Sequence, residues 1–253
     1  MATRSKGSSN PSEPALAVIT DRLADRLDGL AFAPPVAYVY NPLRYARAGW
    51  SAYCRLYGEA RREILLVGMN PGPWGMAQTG VPFGEISLVR DWLAIETAIG
   101  QPARTHPKKP VHGFACRRSE VSGKRLWGWA RERFTTPDRF FARFFVANYC
   151  PLLFLDGDGR NLTPNVLAAT ERRRLQEHCD EALRHTAAHF RPRLVVGVGR
   201  FAADRVTEAL AGMEIATGMI THPSPANPKA NRGWEKLIES EFTALGVAID
   251  AGG

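Results

Sequence analysis

Uninterrupted apolar runs alternate along the chain with longer stretches in which apolar residues recur at helical spacing. The runs predict four strands, at about 63–68, 144–148, 194–198 and 214–221. The helical spacing predicts helices at about 16–30, 43–60, 86–99, 124–134, 168–190, 200–211 and 234–245. Strands that alternate with helices favour a parallel sheet covered on both faces, so the expected fold class is α/β, a three-layer α/β/α fold with a central four-stranded parallel sheet.

Length and composition fit a single folded unit. The chain has 253 residues, of which 45% are hydrophobic and 23% charged, as in an ordinary globular protein. Residues 1–13 are small and polar, and we expect a disordered tail there. No repeat or interdomain linker is evident, so residues 14–250 are expected to form one domain.

The charge balance favours an anionic partner. Lys and Arg total 33 against 25 Asp and Glu, a net charge of +8. Nucleic acid is the first candidate and a membrane surface the second, with simple solubility as the plain alternative. The basic excess is concentrated at 101–125, where Glu120 is the only acid. This segment is expected to contact phosphate or to be a solvated loop.

Cysteine usage and hydropathy indicate a reducing compartment. The four cysteines form no C-x-x-C pair, which makes a zinc ribbon improbable. No signal-peptide pattern follows Met1, and no run of 18 apolar residues occurs. We therefore expect a cytoplasmic protein with free thiols and no membrane association.

Three polar residues directly follow predicted strands. Asn70 lies in a rigid loop of two glycines and two prolines at 68–73, and Asn148 and His222 follow the strands near 144 and 214. Because parallel strands deliver their carboxyl ends to one edge of a sheet, these side chains are expected to converge. Taken singly, each residue could instead be a cap or a turn residue.

The loop after His222 is stiff and positively charged. It contains three prolines within six residues, and Lys229 and Arg232 flank small residues. Such a segment suits a wedge that enters a nucleic-acid groove. The alternative is an ordinary surface turn before the last helix.

Two minor motifs have ordinary structural explanations. The G-x-G-x-x-A pattern at 197–202 follows a strand, but no acidic residue follows a second strand at the required distance. Tight packing between strand and helix explains it better than dinucleotide binding does. His185 and His189 have metal-ligand spacing but lack the Glu of H-E-x-x-H, so a solvated or capping role is favoured.

The motifs together resemble a known family. Residues 68–85 resemble the first signature of the single-strand-selective monofunctional uracil-DNA glycosylases, within the uracil-DNA glycosylase superfamily. Residues 222–225 and 227–231 resemble the second signature, and 120–123 and 148–152 also fit the family pattern. A near-continuous match of 18 residues is too long for chance. The resemblance implies a uracil-DNA glycosylase-like fold.

The resemblance also implies a role for each site residue. Asn70 would hold the attacking water, and His222 would donate to uracil O2 as negative charge builds there. Phe83 would stack on the base and Asn148 would read its edge. The remaining substrate-binding residues would be Met69 and Gly72. The DNA-binding residues would be Pro225, Ala226, Asn227, Pro228, Lys229, Asn231 and Arg232.

The residue types constrain the mechanism. An amide such as Asn70 cannot take a proton as a carboxylate does, so the bond must break mainly by departure of the leaving group. Glu85 is the one carboxylate in the signature loops. It stands at a predicted helix start, where a structural role is favoured over that of a general base. Lys229 is the only lysine there, so no Schiff-base lyase step is expected.

The expected function is a monofunctional DNA-repair glycosylase that removes uracil from single- or double-stranded DNA, with 5-substituted uracils as further candidates. It would start base excision repair as a hydrolase without metal or cofactor, as a monomer, at the nucleoid or in the nucleus. Alternatives are action on deaminated purines and a non-catalytic or trapping DNA binder. Trp74 stands where the family commonly has phenylalanine, and Ala226 where a bulkier wedge residue is expected.

Overall fold

The computed structural model describes residues 15–249. The tail expected at 1–13 lies outside the described residues. The helices are α1 (Ala15–Asp28), α2 (Pro42–Tyr45), α3 (Arg47–Tyr57), α4 (Met76–Thr79), α5 (Ile86–Asp91), α6 (Val121–Phe134), α7 (Pro137–Phe141), α8 (Ala169–Phe190), α9 (Arg200–Ala209) and α10 (Trp234–Ala244). The strands are β1 (Tyr38–Tyr40), β2 (Ile64–Gly68), β3 (Phe144–Asn148), β4 (Leu153–Leu155), β5 (Asn161–Leu162), β6 (Leu194–Val198) and β7 (Ala216–Ile220).

The central sheet has four parallel strands in the order β3-β2-β6-β7, which confirms the predicted fold class. β2 and β6 are buried along their whole length, as expected for parallel strands covered on both faces. The register places Gly68 beside Asn148 at the carboxyl ends of β2 and β3. Two of the predicted polar loops therefore begin side by side.

Two glycines show that helices cover opposite faces of this sheet. A Cβ on Gly197 of β6 would lie 2.2 Å from the backbone of Ala203 in α9. A Cβ on Gly218 of β7 would lie 2.7 Å from Leu245, directly after α10. Gly218 is in register with Val196, the neighbour of Gly197, and successive residues of a strand face opposite sides. The G-x-G-x-x-A pattern thus serves close packing of strand and helix.

A second, smaller sheet was not predicted. It is antiparallel, in the order β1-β4-β5, and its strands have only two or three residues. Strands this short display no readable alternation of apolar and polar residues. The second sheet supports the rim of the site through the β4–β5 hairpin.

Two predicted helices have wrong bounds. The helix expected over 86–99 ends at Asp91, because the backbone turns at Ala94, where φ is +54°. Leu93 and Ile95 are buried beyond that end, so the apolar spacing reports burial and not helix. The helix expected over 43–60 is divided at Ala46 and ends at Tyr57.

Within residues 15–249, no helix is long and apolar enough to cross a membrane.

Candidate active site

A cavity of about 570 Å³ opens at the carboxyl edge of the central sheet. The loops after β2, β3 and β7 line it, together with the amino end of α6, and they bring Asn70, Asn148 and His222 together. Of the other predicted residues, the wall includes Met69, Gly72, Phe83, Pro225 and Ala226. The topology therefore achieves the convergence that the sequence predicts.

His222 is held in one tautomer. Its Nδ1 accepts a hydrogen bond from the Ser224 backbone N–H at 3.0 Å. In the neutral ring the proton must then reside on Nε2. Burial lowers the pKa of His222 to about 4, so the ring is neutral at pH 7. The site therefore contains a neutral imidazole whose one N–H donor is Nε2–H.

Asn70 is oriented by the neighbouring loop. Its Nδ2 donates to the Leu152 carbonyl at 3.1 Å. The nitrogen end of the amide is thereby fixed, which leaves Oδ1 as an acceptor at the cavity wall. An acceptor of this kind can orient a water molecule.

Phe83 and Asn148 both lie against Gly68. A Cβ on Gly68 would come within 2.6 Å of the Phe83 ring and 2.6 Å of Asn148 Oδ1, so this strand end must be glycine. Asn148 Nδ2 donates to the thioether of Met76 at 3.3 Å, a weak acceptor that a ligand carbonyl can replace. The Phe83 ring lies 6.0 Å from the His222 ring, centroid to centroid.

The backbone of Phe83 is strained and firmly held. Its φ is +53°, a conformation that bulky residues rarely adopt. Its carbonyl accepts from Glu85 N–H at 2.7 Å, and a Cβ on Gly123 would collide with it. Trp127 Nε1 donates to the Pro82 carbonyl at 3.1 Å. The surrounding structure thus imposes the ring position, as is common at ligand sites.

The two carboxylates near the cavity cap helices. Glu85 accepts from Leu88 N–H at 3.0 Å at the start of α5, which is the structural role predicted for it. Glu120 accepts from Ser122 N–H at 3.1 Å and from Gly123 N–H at the start of α6. Burial raises the pKa of Glu120, and it lines the cavity. Both carboxylates thus satisfy helix amide groups.

The loop after His222 is organised by its own side chains. Asn231 Nδ2 donates to the Pro225 carbonyl at 2.9 Å, and Asn227 Oδ1 accepts from Lys229 N–H at 3.1 Å. Arg125 donates to the Pro223 carbonyl and to Asn231 Oδ1, each at 2.9 Å. The two asparagines therefore shape the loop. Exposed on it are Pro225, Ala226, Pro228, Lys229, Asn231 and Arg232.

Several residues of the wall were absent from the sequence-predicted site. They come from the amino end of α6, from the hairpin between β4 and β5, and from the first signature loop. The match at 120–123 was a usable signal for the α6 group, whereas the hairpin gave none. These wall residues are Pro71, Pro73, Trp74, Gly75, Met76, Ser119, Glu120, Val121, Ser122, Asn161, Thr163 and, from the loop after β7, Ser224.

The paired histidines of α8 do not lie at this site. His189 Nε2 is 2.7 Å from the Gly58 carbonyl and caps the end of α3. Among residues 15–249, no group of three His, Cys, Asp or Glu side chains is arranged to hold a metal ion.

Comparison with known proteins gives matches over most of the chain. The model of the uracil DNA glycosylase superfamily matches residues 56–240. The single-strand selective monofunctional uracil-DNA glycosylase of Rattus norvegicus is 48% identical, with 89% of this chain and 82% of that protein aligned. The protein of that name from Bos taurus is 46% identical, over 89% and 84%. The crystal structure of wild-type Pedobacter heparinus SMUG2 has the same fold, with a TM-score of 0.66, 17% identity, and 91% and 98% of the chains covered.

Proposed function

Because the chain belongs to the uracil-DNA glycosylase superfamily, we propose that it is a DNA-repair hydrolase that cleaves the N-glycosidic bond of uracil in DNA. The observation that carries the proposal is His222, a neutral imidazole with an Nε2 donor in a cavity that also presents an amide and an aromatic ring. A neutral N–H donor suits a uracil anion as leaving group.

Recognition begins with removal of the base from the stack. The glycosidic bond inside a duplex is out of reach, so the enzyme flips the nucleotide or takes single strands. The ring of Phe83 then stacks on the base, a contact worth about 1–3 kcal/mol. Asn148 accepts from uracil N3–H through Oδ1 and donates to O4 through Nδ2, which displaces the contact to Met76. Cytosine inverts both groups and is rejected.

Bond cleavage depends on the leaving group. As the bond lengthens, negative charge accumulates on the uracil ring, and His222 Nε2–H donates to O2. A preoriented donor in a buried site stabilises such charge without reorganisation, which is the electrostatic effect that usually dominates catalysis. His222 keeps its proton, so uracil leaves as an anion.

Water completes the reaction. Asn70 Oδ1 accepts a hydrogen bond from a water molecule and aims its oxygen at the oxocarbenium-like sugar. The amide takes up no proton, because the cation itself is reactive enough to capture neutral water. The captured water gives up one proton to the departed uracil anion, so the products are neutral uracil and an abasic site.

Base release from defined oligonucleotides tests this function. Labelled single strands that contain uracil, hypoxanthine or xanthine are incubated with the protein and then cleaved with alkali at abasic sites. We expect the strand that contains uracil to be cleaved. Cleavage should appear only after the alkali treatment, because the protein itself performs no lyase step. Tight binding without uracil release would identify a non-catalytic DNA binder, and release of hypoxanthine or xanthine alone would identify a purine enzyme.

We further infer that the protein works as a monomer and that it prefers single-stranded DNA. Its place of action would be the nucleoid or the nucleus, where its DNA substrate lies. One chain supplies Asn70, Asn148 and His222 to the same cavity, so the site needs no residue from a second copy. Ala226 lies in the loop at 223–233, which we call the wedge loop, and its methyl group offers little to fill a vacated base stack, which supports the strand preference. Light scattering tests the first inference, and excision rates on single and double strands test the second.

A further inference from the structure

A second cavity, of about 760 Å³, lies beside the active-site cavity. Trp74 belongs to the wall of both cavities and separates them. The remaining wall comes from the basic segment at 107–118, namely Pro107, Lys108, Lys109, Pro110, His112, Ala115, Cys116, Arg117 and Arg118. We call it the basic cavity.

The basic cavity gathers positive charge around one aromatic ring. Lys109 Nζ lies 5.0 Å and Arg118 Cζ 4.7 Å from the centroid of the Trp74 ring. Both are cation–π distances, and tryptophan is the strongest partner for such contacts. Among residues 15–249 neither cation has a carboxylate partner, and the wall of the cavity contains no acid.

The wall of the basic cavity is rigid. The buried side chain of Gln78 donates to the carbonyls of Pro73 and Pro110, at 2.9 and 3.0 Å. Its Oε1 accepts from the N–H groups of His112 and Gly113, at 2.8 and 3.1 Å. One amide thus ties the first signature loop to the basic segment. The cavity is therefore a built feature of the fold.

The backbone around Lys109 is fixed from the other side. Tyr40 of β1 donates its hydroxyl to the Lys109 carbonyl at 2.9 Å and accepts from His106 N–H at 2.7 Å. His106 is buried, and its Nε2 is 3.1 Å from the Gly157 carbonyl in the hairpin between β4 and β5. The small second sheet thus anchors the segment that supplies the cations.

We propose that the basic cavity binds a backbone phosphate of the DNA strand, within one or two nucleotides of the flipped uracil. This rests on the proposed function. Two cations beside one ring and without a carboxylate partner attract an anion, and the phosphodiester is the anion that the proposed substrate supplies. Trp74 preorganises both cations and places the phosphate beside the base pocket. The segment at 101–125 is then part of the substrate site.

The first experiment measures binding of a uracil-free single strand at several salt concentrations. For Lys109→Gln/Arg118→Gln we expect about fivefold weaker binding at about 0.1 M salt and a slope of log K against log salt smaller by about 0.7, the effect of one lost phosphate contact. The matched control is Arg61→Gln/Arg191→Gln, which removes two exposed positive charges before β2 and β6, at the opposite edge of the sheet. Equal effects of the two variants would overturn the proposal.

The second experiment locates the phosphate. Single strands that carry one 2′-fluorinated deoxyuridine, whose glycosidic bond resists cleavage, receive one neutral methylphosphonate linkage at successive positions. We expect one linkage near the uracil to weaken wild-type binding about fivefold, and to have no effect on Lys109→Gln/Arg118→Gln. A penalty that is the same in both proteins at every position would overturn the proposal.

Inorganic phosphate distinguishes the source of the anion. Competition by inorganic phosphate at millimolar concentration, together with no position-dependent effect of methylphosphonate, would mean a site for a free anion and would overturn the DNA assignment. If the proposed function itself is wrong, the wild-type protein will release no uracil, and this result is distinct from all the binding results above.

Discussion

Asn70 and His222, the two side chains to which we assign the chemistry, are each fixed by one backbone contact. The Leu152 carbonyl accepts a hydrogen bond from the amide of Asn70, and the Ser224 N–H donates one to the imidazole of His222. Each contact leaves the other end of its side chain to face the cavity. Both residues are therefore oriented before substrate arrives, which is what electrostatic catalysis requires.

Replacement of either residue by alanine should impair the chemical step more than binding. For Asn70→Ala and His222→Ala we expect single-turnover uracil excision to fall by about 100- to 1000-fold. The affinity for a strand with 2′-fluorinated deoxyuridine should change by less than about tenfold. Asn165→Ala and His185→Ala, at exposed positions outside the cavity, are the controls. Equal losses of rate and affinity would mean that the two residues only shape their loops.

The lowered pKa of His222 makes stability depend on pH. Burial lowers this pKa from 6.5 to about 4 in the folded protein. Between these values the unfolded chain binds a proton that the folded chain does not, so stability rises with pH. The contribution is complete above pH 6.5 and is lost as the pH falls towards 4.

Urea unfolding of the wild type and of His222→Gln, from pH 4 to 8, measures this effect. The difference in the free energy of unfolding should rise by about 3 kcal/mol between about pH 4 and 6.5 and then stay level. All other titrating groups are common to the two proteins and cancel. A difference independent of pH would contradict a neutral His222 in the folded state.

Much of the site follows from the sequence, because polar residues after buried runs mark strand ends in a parallel sheet. That pattern selects Asn70, Asn148 and His222, and the cavity contains all three. It cannot select Glu120 or Asn161, which follow no apolar run. It also cannot reveal that Asn227 and Asn231 use their side chains inside the loop.

At the scale of elements, the carboxyl end of β2 positions the two residues that we propose to hold the base. Gly68 lies beside Asn148 in the sheet register, and the Phe83 ring covers it. A methyl group at this point would push both side chains into the cavity. The absence of a side chain on Gly68 thus determines the shape of the pocket.

Gly68→Ala should therefore abolish most excision without unfolding the protein. A displacement of about 1 Å in a positioning group can cost about 100-fold in rate, and we expect a fall of at least that size. Gly128→Ala is the control, since its Cβ would enter open space in α6. It should leave excision unchanged and raise stability by about 0.5–1 kcal/mol. Normal excision by Gly68→Ala would show that the ring and amide can shift freely.

The connection between the signature loop and the basic segment rests on Gln78. Gln78→Leu would leave four backbone groups without their partner, and we expect the free energy of unfolding to fall by at least about 3 kcal/mol. Gln101→Leu is the control, because this exposed side chain makes one hydrogen bond, to the Val111 carbonyl. It should cost less than about 1 kcal/mol.

Urea unfolding measures both variants, and hydrogen exchange locates the effect. In Gln78→Leu the amides of His112 and Gly113 should exchange faster than in the wild type. Equal stability of the two variants would show that water can replace the amide of Gln78.

Secondary structure was predictable where burial is continuous and unpredictable where tertiary contacts decide. The strands β2 and β6 are fully apolar runs, β3 is apolar up to Asn148 at its end, and α8 and α10 have clear helical spacing. By contrast, β1, β4 and β5 exist only through pairing with each other. The end of α5 is set by the backbone turn at Ala94, which no local pattern announces.

At the scale of the whole molecule, positive charge without partners lies at the edge of the sheet that holds the site. Lys108, Arg117, Lys229 and Arg232 have no carboxylate partner among the described residues. At the opposite edge, Glu63 pairs with Arg143 at 2.6 Å and with Arg193 at 2.7 Å. These four cations lie in the segments beside the site and should steer a polyanion to the cavity.

The salt dependence of DNA binding shows whether the wedge loop contacts phosphate directly or only adds to the long-range attraction. Each phosphate contact to a single strand contributes about 0.7 to the slope of log K against log salt, so Lys229→Gln/Arg232→Gln should lower that slope by about 1.4. Arg61→Gln/Arg191→Gln removes the same charge from exposed positions that precede β2 and β6, at the far edge. Long-range attraction alone would make the two double variants alike, whereas direct contact lowers the slope only for the loop variant. An unchanged slope for Lys229→Gln/Arg232→Gln would remove this loop from the DNA interface and leave the basic cavity as the main phosphate contact.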